Sequence, residues 1–298
     1  MNQKQPFFSI IIPTYRRPRQ LAACLHSLAQ LEYSRDSLEV IVVDDGSEAL
    51  PQAVIRPFRD KLDVTLLAQS HAGPAPARNA GAKRAKGGFL AFTDDDCCPA
   101  PDWLKTLAVH FSRDPDCMIG GRTMNALPDN PYSSASQLLI DYLYSYYNAD
   151  ADHARFLTSN NLALAADRFR AIGGFDTTFA GAAAEDREFC DRWLFHGYRL
   201  MYAPEATVYH AHVLTFRTFW RQHFWYGRGA FLFHRIRARR GASRVKVEPL
   251  AFYRNLLRYP LSHARGAQAL LLASLLAWAQ AANVAGFFWE RGRKLVYE

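Results

Sequence analysis

The sequence predicts an α/β protein with a mostly parallel central sheet flanked by helices. Two observations lead there. Short apolar runs rich in β-branched residues recur and stop at polar turns, as strands buried on both faces do. Segments of helical spacing lie between them, and strand–helix–strand alternation with short connections implies parallel pairing through right-handed crossovers.

Phe8-Ser9-Ile10-Ile11-Ile12-Pro13 is the first such run. Pro18 to Leu31 follows with apolar residues at Leu21, Cys24, Leu25 and Leu28, the spacing of a helix face. Glu39 to Val43 is a second strand, stopped by Asp44-Asp45-Gly46-Ser47, and Val64 to Leu67 a third. Pro74 to Lys86 reads as a helix entered from a Gly-Pro turn, and Gly88 to Thr93 as a fourth strand running into Asp94-Asp95-Asp96. Ser136 to Tyr147 predicts a helix over the sheet, and Arg187 to Phe195 another. Tyr209-His210-Ala211-His212 closes a further strand, with the two histidines on one face. The character changes near residue 215, so two regions are expected: 1–215, and a helical, aromatic and basic extension over 216–298.

In parallel sheets ligands collect at the carboxyl ends of strands. Three strand ends here carry polar clusters: Pro13-Thr14-Tyr15, Asp44-Asp45 and Asp94-Asp95-Asp96. Adjacent carboxylates disfavour one another's ionisation unless a cation neutralises them. Carboxylate oxygens suit Mg²⁺ or Mn²⁺, with phosphate oxygens completing the shell. A solvated acidic turn is the plain alternative, as an ordinary strand-ending turn is for Asp44 to Ser47.

At 298 residues and 49% hydrophobic, the chain has ample material for a core, and its 21% of charged residues is too few for a mainly disordered chain. A net charge of +8 suits an anionic partner: nucleic acid, a membrane surface or a phosphorylated substrate. The five cysteines (Cys24, Cys97, Cys98, Cys117, Cys190) form no C-x-x-C pair, which argues against a disulfide framework or structural zinc and for a reducing cytosol. Met1 to Phe8 lacks an apolar signal core, so no signal peptide is expected. Ala267 to Trp289 holds no charged residue, a length sufficient to cross a bilayer as a helix. Gln268, Gln280 and Asn283 interrupt it, which favours a membrane-lying or bundled helix over a span. Localisation is expected to be cytoplasmic, with peripheral contact at the inner face of the cell membrane.

The chain resembles family 2 inverting glycosyltransferases of the GT-A fold. The matching segments are Ser9-Ile-Ile-Ile-Pro-Thr-Tyr15, Val42-Val-Asp-Asp-Gly-Ser47, Ala77-Arg-Asn-Ala-Gly81, Phe92-Thr-Asp-Asp-Asp-Cys97, Gly173-Gly-Phe-Asp176, Glu185-Asp186 and Pro204-Glu-Ala-Thr-Val-Tyr-His210. The resemblance implies that Pro13, Thr14 and Tyr15 line the base and ribose pocket, that Asp45 contacts base or ribose, and that Arg78 approaches base or diphosphate. It makes Asp94 and Asp96 the acids of a D-x-D motif. Asp96 would touch the metal, Asp94 ribose or a metal-bound water, and Asp95 would stand between them on the nucleotide side, chiefly as a spacer. Asp186 would be the general base, with Glu185 orienting the acceptor or taking that role one residue earlier. An acid at a helix start is the structural alternative for both. His210 would contact metal or diphosphate, with His212 as fallback, and Ser159-Asn160-Asn161 would contact acceptor or donor sugar or simply turn the chain into a strand.

The implied reaction is transfer of a single sugar from a nucleotide diphosphate sugar, uridine being the base the resemblance favours, to a glycan or lipid-linked hydroxyl. The cofactor would be Mn²⁺ or Mg²⁺. No nucleic acid partner is expected. The segment Arg221 to Gly229 lacks the Q-x-x-R-W motif of processive synthases, which argues for one sugar per event. Two other classes use some of these features. A nucleotidyltransferase would want a glycine-rich, lysine-bearing loop, and Pro13 to Gln20 has no glycine. A basic nucleic-acid- or membrane-binding module would account for the arginines and aromatics of 216–240 but not for the aspartates.

Overall fold

The computed structural model describes residues 5–179, 184–241 and 247–296. The described strands are β1 (Phe8–Thr14), β2 (Leu38–Asp44), β3 (Val64–Ala68), β4 (Phe89–Thr93), β5 (Cys97–Pro99), β6 (Met118–Asn125), β7 (Asn161–Ala165) and β8 (Leu200–His210). They form one sheet in the order β3-β2-β1-β4-β7-β6-β8-β5. The pairings β1–β2, β1–β4, β2–β3 and β6–β8 are parallel. β7 enters antiparallel to both β4 and β6, and β5 antiparallel to β8. The sheet is thus mostly parallel, with a reversed strand at its centre.

Helices α1 (Pro18–Leu28), α2 (Gln52–Ile55), α3 (Pro74–Arg84) and α4 (Trp103–Arg113) connect the first strands. Next come α5 (Pro131–Tyr147), α6 (Ala166–Ile172) and α7 (Glu185–Phe195). After β8 the described chain is helical: α8 (Phe216–Arg239), α9 (Leu250–Arg258), α10 (Pro260–His263) and α11 (Gly266–Val296). Alternation divides β1 between two cores. Ile10 and Ile12 pack with Leu21, Leu25 and Trp103 on one face of the sheet, and Ile11 packs with Ala77, Phe92 and Phe189 on the other. Double-sided burial is why β1 and β2 read as unbroken apolar runs, whereas β3, at the sheet edge, is half-buried.

The helix expected from Ser136 begins earlier, at Pro131. The Asn130 side chain accepts from the backbone N–H groups of Tyr132 and Ser133, and Pro131 occupies the first turn, where its missing N–H costs nothing. Its position also differs from the expectation. It lies less over the sheet than against the C-terminal helices: Leu139 and Tyr142 share a core with Phe252, Leu256 and Leu276, and the Tyr142 hydroxyl donates to Phe252 O at 2.7 Å. The start of α8 carries a capping box, Thr215 and Thr218 each bonding the other's backbone.

α8 and α11 approach to backbone contact. A Cβ on Gly227 would lie 1.9 Å from Asn283 O, and one on Gly286 would lie 1.9 Å from Phe224 O. No other residue fits either position without separating the helices. Gly227→Ala should therefore destabilise the fold by about 1–3 kcal/mol, as overpacking does, despite alanine's better helix propensity. A lowered thermal midpoint checks this; an unchanged or raised one contradicts the close approach.

Candidate active site

The carboxyl ends of β1, β2 and β4 meet at one edge of the sheet and line a cavity of about 1520 Å³. Pro13, Thr14, Tyr15, Asp45, Arg78, Asp94, Asp95, Asp96, Glu185, Asp186, His210 and His212 all face it. The sequence separates these residues by up to about 200 positions, and parallel strand register brings them together. Ser159 and Asn160 also line it. Asn161 does not. Its amide donates to Arg122 O and Ala206 O and its oxygen accepts from Trp103 Nε1, so it braces the sheet.

Asp45 follows β2 and is almost completely buried. Its Oδ1 accepts from Ala72 N at 2.9 Å and Gln69 Nε2 at 2.7 Å, and its Oδ2 from Gly73 N at 2.8 Å. His71 Nδ1 lies 2.9 Å from Oδ2, and the His71 ring stacks on Tyr15 with centroids 4.2 Å apart. Asp45 thus fixes the loop 69–73, which presents the His71–Tyr15 pair beside the cavity. Nothing in the sequence pattern singled out His71, because its importance comes from a side chain and a ring distant along the chain.

The aspartate triplet divides three ways. Asp94 Oδ1 accepts from Arg78 Nη2 at 2.7 Å. Asp95, expected as a spacer, is tied down: it accepts from Thr14 Oγ1 at 2.7 Å and from Arg17 Nη1 at 3.2 Å. Burial pushes its carboxyl up to about 7, against the pull of Arg17. Asp96 Oδ2 accepts from Arg17 Nη1 at 2.9 Å, and its Oδ1 lies 3.2 Å from His210 Nε2. Burial works against its charge, but the bond and charge of His210 and the nearby Arg17 hold Asp96 below the usual carboxylate range. His210 stacks on His212 at 5.0 Å, and β5–β8 pairing sets His210 opposite Cys97.

Among the described residues, Asp96, Cys97 and His210 bring potential ligand atoms within 4.8 Å of one another. The Cys97 thiol is fully buried and burial pushes it well up, so it stays protonated and is a poor ligand. That leaves a carboxylate and an imidazole. With diphosphate oxygens this donor set fits a divalent cation of the Mn²⁺ or Mg²⁺ type.

Arg78 joins the two acidic groups. Only 3% exposed, it donates from Nη2 to Asp94 and from Nη1 to Glu185 Oε1 at 3.1 Å. Glu185 opens α7 immediately after Ala184, whose φ of 67° places a non-glycine residue in the costly left-handed region. Asp186 is next and faces the cavity. Burial raises its pKa, and the Glu185 carboxylate raises it further. Glu185 is thus held in an ion pair with Arg78, and Asp186 stands beside it on the cavity wall with a raised pKa.

These features define an α/β cleft with two acidic centres, and comparison with known proteins gives it a family. The model of glycosyl transferase family 2 matches residues 9–173, and that of the N-terminal domain of galactosyltransferase matches 144–214. The chain belongs to glycosyl transferase family 2. Validoxylamine A glucosyltransferase of Streptomyces hygroscopicus is 29% identical over 229 residues, covering 67% of this chain and 54% of the relative. Pre-mycofactocin glycosyltransferase of Mycobacterium tuberculosis is 31% identical over 208 residues, covering 68% of this chain and 44% of the relative. The chain therefore spans about half the length of these relatives. A mannosyltransferase from Pyrobaculum calidifontis, solved with GDP-Man and Mn²⁺, superposes over 99% of this chain and 82% of its own at a TM-score of 0.63 and 20% identity. TarS of S. aureus, residues 1–349 with UDP-GlcNAc, superposes over 97% of this chain and 92% of its own at a TM-score of 0.54 and 17% identity. At such identities the likeness shows the fold, which is GT-A.

Removing Arg78 breaks two ion pairs at once, to Asp94 and to the buried Glu185. Arg78→Ala should cost about 3–5 kcal/mol of stability, measured by denaturant unfolding, and Arg78→Lys should recover only part of it because one ammonium cannot fork to two carboxylates. An Arg78→Ala protein as stable as the wild type would remove this bridge from the account.

Proposed function

We propose that the protein transfers a single sugar, with inversion, from a nucleotide diphosphate sugar to a hydroxyl acceptor. The observation that carries this reading is the pairing of two acidic centres in one cavity: Asp96 with His210 on one side, and Glu185 with Asp186 on the other, joined through Arg78 and Asp94. Uridine diphosphate sugars are the donors favoured by the family resemblance. Tyr15 and the Asp45-held loop would receive the base, and Asp94 the ribose side. Asp96 and His210 would hold Mn²⁺ or Mg²⁺, which when bound stabilises negative charge on the departing diphosphate.

Direct displacement needs the acceptor hydroxyl to lose its proton as the bond to the anomeric carbon forms. Asp186 accepts that proton. Its burial beside Glu185 raises its basicity toward neutral pH, where the match to a general base improves. Glu185, held by Arg78, fixes the start of α7 and so aims Asp186 into the cavity. Arg17 supplies a cation at the triplet and offsets repulsion among its carboxylates.

UDP release from a UDP-sugar with and without Mn²⁺ tests the whole reading. Asp96→Ala should abolish metal stimulation. Asp186→Asn should cut kcat by about 10²–10⁴ while leaving the donor KM near wild type. A base with a raised pKa is unprotonated only as pH rises through that value, so wild-type kcat should climb on an acid limb lying above the ordinary carboxylate range. Metal-independent release, or an Asp186→Asn variant with an unaltered kcat, is the opposing result.

We further propose that the region 216–298 is an extension that completes the cavity and rests on the cytosolic face of a membrane, where a lipid-linked or surface-glycan acceptor would be found. All five cysteines are free, as suits the cytosol. The apolar part of α11 is only 33% buried, unlike a core helix, and Leu270, Leu271, Trp278 and Phe288 are exposed along it. In the sequence, Arg258 and Arg265 precede the apolar stretch and Arg291 and Arg293 follow it, which suits anionic headgroups. The full chain should cosediment with phosphatidylglycerol vesicles and do so less in high salt, and Leu270→Asp with Leu271→Asp should shift it to the supernatant. Equal sedimentation by wild type and the double variant would dismiss this contact.

A further inference from the structure

The cavity is larger than a donor requires. Ligand pockets commonly measure about 300–1,000 Å³, and this one, at about 1520 Å³, continues past Asp186 between α5, α8, α9 and α11. Its lining changes character there. Part of it carries uncharged polar groups, Ser136 from α5 and Gln222 and His223 from α8, alongside the charged Arg187 and Glu248. Among the described residues, Ser136 Oγ, Gln222 Oε1 and both ring nitrogens of His223 are buried with no hydrogen-bond partner. His223 is only 1% exposed. Burial pushes its pKa down to about 3, so the ring is neutral and offers one donor and one acceptor.

An orphaned buried group costs about 1–3 kcal/mol of stability, so a hydroxyl that reached these atoms would recover part of that cost. The group is neutral and mixes donors with acceptors, which suits sugar hydroxyls better than a phosphate. Further along, the wall turns apolar. On α5, Ile140 and Leu143 follow Ser136 at the i+4 and i+7 positions of one face, about 10 Å along the helix. Phe252 and Leu256 from α9 and Val284 and Phe288 from α11 line the same part. Val284 and Phe288 are 56% and 58% exposed, so this end opens on the apolar surface of α11.

We propose that this second half of the cavity is an acceptor subsite for a membrane lipid with a hydroxyl-bearing head, the head held by Ser136, Gln222 and His223 and the hydrocarbon tail lying along Leu143, Phe252 and Val284. It rests on the reading of Asp186 as the base and names the acceptor class for that site. The tail enters from the bilayer side of α11, and the head hydroxyl is thereby delivered to the end of the cavity that holds Asp186.

Calorimetric titration tests this without any donor turnover, so the result stays readable even if the transferase reading fails. The probes are methyl β-glucoside and n-octyl β-glucoside, both below the micelle concentration. Each methylene buried favours binding about three- to fourfold, so octyl glucoside should bind at least 100-fold tighter than methyl glucoside. Ala281→Trp, which fills the cavity, should weaken octyl glucoside at least tenfold, and Leu270→Glu, on the outer surface of α11, should leave it unchanged. His223→Phe should weaken both glucosides at least tenfold while the thermal midpoint holds or rises, because it removes buried unpaired polar atoms. A monoglucosyl lipid in neutral vesicles should compete with octyl glucoside.

Equal affinity for the two glucosides overturns the tail assignment, as does a loss with Leu270→Glu that matches Ala281→Trp. A His223→Phe variant with unaltered affinities overturns the head assignment. Absence of competition by the vesicles overturns the membrane source.

Discussion

The site depends on one guanidinium. Arg78 lies on α3, and from there it reaches the acid that ends β4 and the acid that begins α7, sites 16 and 107 residues away in sequence. An arginine this deeply buried is tolerable only when its charge is matched; both terminal nitrogens are engaged, while Nε has no hydrogen-bond partner among the described residues. Its two contacts therefore constrain each other: moving either α7 or the triplet would break one arm of the fork. The separation between Asp94 and Glu185 is set by this fork. Ala184 follows from the same constraint, since a left-handed residue is held where the surrounding contacts over-determine the backbone.

The sheet supplies the frame for that bridge. β1, β2 and β4 run parallel and end together, so three polar turns share one edge. β7 then reverses direction beside β4, and β6 and β8 carry the sheet on to His210. The histidine pair thus arrives from the far half of the sheet and meets Asp96 across β5. One side of the cavity is built by the sheet. The other is built by α5, α8, α9 and α11, and takes its apolar character from them.

How much of this was legible depends on whether a signal is local. Strands buried on both faces announce themselves as apolar runs, so β1, β2 and β4 were readable, as was the mostly parallel sheet. That the aspartates, Glu185–Asp186 and His210 line one cavity was readable because the resemblance aligned them; residue type alone left them as turns and caps. The roles that depend on contacts across the fold were not readable. Asp95 looked like a spacer, yet Thr14 and Arg17 bind it, and Asp45 looked like a ligand group, yet its oxygens are engaged by loop 69–73. Pro131 gave a helix-start signal, in Asn130-Pro131, that the apolar spacing from Ser136 onward masked. Ser136, Gln222 and His223 carried no pattern at all, since what marks them is a missing partner.

The contact of Gly227 and Gly286 with the opposite backbones has a mechanical consequence. Helices separated by ordinary side chains can slide, because the side chains change rotamer as the axes shift. Where carbonyl oxygen meets α-carbon there is no such cushion. α8 and α11 are therefore a single stiff girder, and a sliding motion of one past the other is blocked. Any narrowing of the cavity must swing that girder as one piece about its connection to the sheet at Thr215.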